Sequence, residues 1–175
     1  PRGEPTLLAA TDVKHAAVLL RTLVTYMRAR PLHYASDEVA VFSVADTLEA
    51  LCQAVQPPSL SAFNSRPGYD LAGRLELAAA VLSALRQIRR MGARSVELRA
   101  LSRRLSSDEA TMAWVLSLSS IMFGDASKSP LLAEYASQQG GPSAFRCWRE
   151  CRALLATHLL DVARLGLPTT AAAVM

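Results

Sequence analysis

The sequence predicts an all-α fold, and three observations predict it. Apolar residues recur at spacings of three and four along most of the chain. Hydrophobic residues make up 51% of the composition and aromatic ones 6%, so the interior is built mostly from Ala, Leu and Val. Small and straight-chain residues lose little rotamer freedom in a helix, whereas strands draw on β-branched and aromatic types. Finally, the strongest stops fall between the periodic segments, at Pro31, Pro57-Pro58, Met91-Gly92 and Gly140-Gly141-Pro142. A chain of 175 residues is long enough for one domain with a sizeable core.

Residues 1–10, with Pro1, Gly3 and Pro5, are expected to form a poorly ordered lead-in to a single helical domain spanning 11–166. Thr11 and Asp12 then supply an N-cap and a first-turn acid for a helix carrying Val13, Ala16, Ala17, Leu20, Leu23, Val24 and Met27 on one face. Pro31 ends it, because proline disfavours the α region in the residue before it. Ser36, Asp37 and Glu38 repeat the start signal ahead of Val41, Val44, Ala45, Leu48, Leu51, Cys52 and Val55. After Pro57-Pro58 only a turn or two of helix, around Leu60 to Phe63, is expected before a Pro-Gly turn.

The central helix starts near Leu71 and faces Leu77, Ala80, Val81, Ala84, Leu85, Ile88 and Met91 inward, with Arg86, Arg89 and Arg90 turned away. Gly92 stands where a helix C′ residue belongs. A shorter helix over Ser95–Leu105 buries Val96, Leu98, Leu101 and Leu105 and puts Arg99 and Arg103 one turn apart on its outer face. Ser106 and Glu109 have the spacing of a capping box opening the next helix, with Met112, Val115, Leu116, Ser119 and Met122 inward. Pro130 is placed to start a short helix over LLAEYASQQ. A last long helix, Ser143 to about Leu165, lines up Phe145, Trp148, Cys151, Leu155, Leu159 and Val162, and residues 167–175 are a tail.

The acids Glu38, Glu76 and Glu109 each precede a long apolar helix, and a shorter segment precedes each next acid. Such a period is the mark of a solenoid-like array of antiparallel helix pairs. An irregular helical bundle has helices of similar length and gives similar spacing.

The segments EVAVFSVADTLEAL, ELAAAVLSALRQIRRMGARSVELRALSRRL and EATMAWVLSLSSIM resemble octotricopeptide and related FASTK/RAP-type organellar repeats. Ala84-Leu85, Met91-Gly92 and Glu97-Leu98 carry the likeness, which covers residues 36–140. The unit beginning at Glu38 departs from it, being broken by Pro57, Pro58 and Pro67, and no C-terminal RAP-like segment is visible. The resemblance implies organellar RNA binding, or a structural role in an organellar ribonucleoprotein such as a mitochondrial ribosome.

Lys14 and Lys128 are the two lysines among nineteen basic residues, so arginine dominates a formal charge of +4. Its planar fork suits phosphate and carboxylate recognition, although genomic base composition produces the same bias. Eight arginines lie between Arg74 and Arg104 against two glutamates, Glu76 and Glu97. Of these, Arg86, Arg89, Arg90, Arg94, Arg99, Arg103 and Arg104 are the candidate contacts to rRNA or to acidic neighbours in a large complex. No aromatic interleaves them, which favours backbone contact over base stacking. The competing explanation is a solvated helix face whose arginine stems cover apolar surface. In that case the chain is a protein–protein adaptor with a groove for a partner helix.

No G-x-S-x-G, P-loop, H-E-x-x-H or Rossmann glycine pattern occurs, so neither an enzyme nor a small-molecule substrate is expected. Asp37-Glu38 and Asp108-Glu109 read as first-turn acids opposite the helix dipole. Cys147, Cys151 and His158 share a helix face but need further ligands to hold a metal, so no metal or cofactor is expected. Three cysteines are too few for a disulfide framework and point to a reducing compartment, the mitochondrion on the resemblance and otherwise another intracellular space. No apolar run is long enough to span a membrane. A chain that begins at Pro1 reads as a processed form or a fragment.

Overall fold

The computed structural model describes residues 10–29, 35–55, 70–92, 96–123 and 141–164. The short helices expected around Leu60 to Phe63 and over LLAEYASQQ, and the two terminal segments, lie outside them. Six helices account for nearly all the described residues, and no strand occurs among these. They are α1 (Ala10–Ala29), α2 (Ala35–Ala54), α3 (Leu71–Met91), α4 (Val96–Ser107), α5 (Glu109–Phe123) and α6 (Gly141–Arg164).

The chain is all-α, and of the two arrangements the sequence allowed the packing is that of a bundle. In a solenoid each helix stacks on its sequence neighbours. Here α3 packs most extensively against α1 and against α6, which begins fifty residues after α3 ends, while the consecutive α1 and α2 scarcely touch. A second group, α2, α4 and α5, packs together and joins α3 mainly through α4.

Being flanked by two helices explains why α3 is buried almost all round. Fifteen of its 21 residues are buried, among them the unbroken run Leu77, Ala78, Ala79, Ala80, Val81 and Leu82. A helix apolar over most of its circumference belongs in a core, and the alanines let α1 and α6 approach closely. Each fully buried leucine on this helix, such as Leu75 or Leu82, contributes about 1.5–3 kcal/mol. The flanking stripes are those expected: Val13, Ala17, Leu20, Val24 and Met27 on α1, and Cys151, Leu155 and Val162 on α6.

The helix ends carry two local corrections. Asp108, not Ser106, caps α5, because Ser106 still lies inside α4, where its hydroxyl donates to the Ser102 carbonyl at 2.8 Å. Asp108 is the first residue beyond α4, and its Oδ2 accepts from the Thr111 backbone N–H at 2.8 Å. On α5 the stripe is rotated to bury Trp114 and Leu118, while Met112 and Leu116 are half-buried. Trp114 turns inward because its Nε1 donates to the Val55 carbonyl at 2.9 Å, tying α5 to the end of α2. Similarly, α3 is capped by Asp70, whose Oδ1 accepts from Gly73 N at 2.9 Å, so Glu76 lies inside the helix and does not mark its start.

Candidate nucleic-acid interface

The arginine-rich segment spans the C-terminal half of α3 and all of α4, and Gly92 sets how closely the two meet. Gly92 has φ −59° and ψ −14°, a right-handed conformation open to any residue, and its N–H donates to the Ile88 and Arg89 carbonyls. What requires glycine is space. A Cβ there would sit 3.2 Å from the Arg89 carbonyl oxygen, 3.3 Å from that of Leu98 and 3.4 Å from Arg99 Cα. This close approach sets Arg99 beside the last turn of α3, which carries Arg90, and the Arg99 Nε donates to the Gly92 carbonyl at 3.5 Å.

The seven candidate arginines divide by what they touch. Arg90, Arg99 and Arg103 are exposed, the last two on the outer face of α4 as their spacing predicted. Arg94 lies outside the described residues. Arg104 turns sideways to α2, its Nη2 2.6 Å from Asp46 and its Nε 3.0 Å from Glu49. The hydrogen bond to Asp46, with the two carboxylate charges, raises its pKa further. Arg89 was expected to point away and does not. Its side chain is 12% exposed, with Nη1 3.2 Å from the His158 carbonyl, Nη2 3.3 Å from Ser106 Oγ and a longer 3.9 Å approach to Asp161. It faces inward because α6 packs on that side of α3 and its polar backbone and Asp161 receive the guanidinium. Burial lowers the Arg89 pKa and Asp161 partly offsets this.

Arg86 is half-buried, with an Nε that has no hydrogen-bond partner, and Arg28 of α1 joins it from across the fold. Arg28 Nη2 donates to Ser83 Oγ at 3.2 Å, and Ser83, Arg86 and Arg90 follow one strip of α3 at spacings of three and four. Sequence reasoning missed Arg28, because its partner is 55 residues away and nothing local marks it. Arg21 is a second long-range tie, 3.6 Å from Glu76 of α3 and 3.5 Å from Glu150 of α6.

The buried titratable groups lie apart from this surface. Burial pushes the Cys52 and Cys151 thiols up to about 12 and raises Cys147 as well, leaving all three protonated at neutral pH. His158 is 5% exposed. Burial, with the Arg89 charge beside it, lowers its pKa to about 3. Among the described residues no three His, Cys, Asp or Glu side chains gather closely enough to hold a metal ion, and no helix is long and apolar enough to cross a membrane.

No protein-family model matches the chain, and neither a curated protein nor a solved structure matches it.

Proposed function

We propose that the protein is a non-catalytic helical component of an organellar ribonucleoprotein, most simply a mitochondrial ribosome, that contacts the rRNA backbone through the α3–α4 junction. The observation supporting this is the division of the arginines. The fold takes up Arg89, and Arg104 is paired at the surface with Asp46 and Glu49, while Arg90, Arg99 and Arg103 stay exposed around one junction, with Arg28 and Arg86 on the adjoining strip. Guanidinium groups in this arrangement suit phosphate oxygens, and binding through them weakens with salt by counterion release. The organellar setting rests on the repeat-like segments within residues 36–140.

The test is RNA binding measured across a salt series for the wild type and for a variant carrying Arg90→Gln, Arg99→Gln and Arg103→Gln. The variant is expected to bind more weakly and to lose roughly one unit of salt slope per arginine removed. Equal slopes for the two proteins would remove these residues from the interface. Sedimentation of the native protein with and without ribonuclease then separates a particle component from a free protein. A second reading, a protein–protein adaptor, is favoured by Val18 and Leu19, which are 60% and 55% exposed on the outer side of α1. Partner capture there is apolar and is expected to change little with salt.

A further inference from the structure

The start of α6 and the end of α5 carry the arrangement that the central cluster lacks, aromatic rings interleaved with arginines. Phe145 and Trp148 stack with ring centroids 6.0 Å apart and planes 13° from parallel. The Arg149 guanidinium carbon sits 6.0 Å from the Phe145 centroid, and that of Arg152 sits 5.4 Å from both the Trp148 and the Phe123 centroids. Guanidinium groups thus cover the stacked Phe145–Trp148 pair, and Arg152 bridges from it to Phe123 of α5. Arg146, Arg149 and Arg152 are all exposed, and an open depression lies among Phe145, Arg146, Arg149 and Glu150. Glu150, the one acid there among the described residues, is held by Arg21 at 3.5 Å.

We infer that this surface binds unpaired RNA bases, with the guanidinium groups of Arg149 and Arg152 as the stacking platform, Phe145 as the ring that supports Arg149 and Arg146 as the phosphate contact. The chemistry is that of single-strand recognition. A base has a π-face that stacks on an aromatic ring or a guanidinium plane, and a duplex keeps those faces hidden. The ring contacts restrict Arg149 and Arg152 before a base arrives, so less side-chain freedom is lost on binding than for an arginine projecting alone. A purely electrostatic surface needs no aromatic support, and Arg90, Arg99 and Arg103 have none among the described residues. The platform therefore adds a base-facing contact on α6, supported by Phe123 of α5, to the phosphate-facing one at the α3–α4 junction, and it rests on the RNA-binding reading above.

The experiment compares a labelled single-stranded uridine-and-adenosine decamer with a duplex of the same length, by fluorescence anisotropy at one fixed salt concentration. The proteins are wild type, Arg149→Lys with Arg152→Lys, and Arg90→Gln with Arg103→Gln. Lysine keeps the charge and removes the plane. The double lysine variant is expected to lose affinity for the single strand by roughly tenfold or more while its duplex affinity stays within about twofold, the loss expected for a stacked base. Phe145→Leu, checked for unchanged helical content and melting temperature, is expected to repeat the effect. Equal losses on both probes, or no loss on either, overturn the platform while leaving the α3–α4 reading intact if Arg90→Gln with Arg103→Gln still weakens binding. Failure of the wild type to bind either probe overturns both.

Discussion

His158 makes folding stability depend on pH in a way that one substitution removes. Its imidazole is 5% exposed, with Nδ1 lacking a hydrogen-bond partner, and it lies between Arg89 of α3 and the rest of the α6 stripe. Burial first, and the Arg89 charge second, hold its folded pKa near 3, against about 6.5 in an unfolded chain. Between those values the unfolded chain carries a proton that the folded chain excludes. Stability from this group is therefore full above about pH 6.5 and falls as the pH drops towards 3. The slope averages roughly 1 kcal/mol per pH unit, so about 2–3 kcal/mol is lost between pH 7 and pH 4.5 from this residue alone. His158→Leu removes the titration and leaves the Arg89 bond in place, because Arg89 donates to the backbone carbonyl of residue 158. Urea unfolding followed by helical circular dichroism at pH 7, 6, 5 and 4.5 gives both curves, and carboxylate effects cancel in their difference. The difference between wild type and His158→Leu is expected to shift by about 2–3 kcal/mol over that range. Parallel curves would refute the argument and place the imidazole in water in the folded state.

Arg89→Leu is expected to cost about 1–3 kcal/mol, since it removes the bonds to the His158 carbonyl and Ser106; Arg90→Gln is expected to stay within about 0.5 kcal/mol, as for an exposed substitution. Thermal melting of the pair checks this, and equal shifts would contradict the inward placement of Arg89. Gly92→Ala would stabilise a helix end by about 0.4–1 kcal/mol if space allowed, but all three atoms its Cβ meets are backbone. A net loss of about 1–2 kcal/mol is expected, and a raised melting temperature would show that α4 can move aside. Asp108→Ala is expected to cost about 1 kcal/mol as a lost N-cap, and Ser106→Ala less. The reverse order in urea titrations would restore the capping box of Ser106 and Glu109.

Much of the fold was legible because helix periodicity and stops are local. The stripes of α1 and α6, the break at Met91-Gly92 and the outward places of Arg99 and Arg103 on α4 were readable from spacing, whereas Val96, expected inward at the start of that helix, is 74% exposed. What the sequence hid was which helices meet. Glu38, Glu76 and Glu109 suggested a repeat phase, but Glu109 opens α5 while Glu38 and Glu76 lie inside α2 and α3, which begin at Ala35 and Leu71. The Arg89 orientation was hidden for the same reason. Helical spacing puts it on the polar side of α3, and only the arrival of α6, with the His158 carbonyl and Asp161, makes that side an interior one. The rings of the α5–α6 platform were visible as residues, but Phe123 and Arg152 are brought together only by the packing of α5 near α6.

The position of α3 accounts for the division of labour among arginines that are close together in sequence. A helix flanked by α1 and α6 has little surface left, so its polar residues are either absorbed by a neighbour, as Arg89 is, or crowded onto the strip holding Ser83, Arg86 and Arg90. The short α4 packs Leu98, Leu101 and Leu105 inward and leaves a continuous outer face for Arg99 and Arg103. Arg104, one residue on, rotates far enough to meet Asp46 and Glu49 of α2. Local charge counted along the chain therefore overstates the charge left unmatched at the surface. On the proposed reading, the charges available to a polyanion are those that the packing of α2 and α6 leaves unmatched, and substitutions at Arg90, Arg99 and Arg103 do not touch the ties that hold α3 in place.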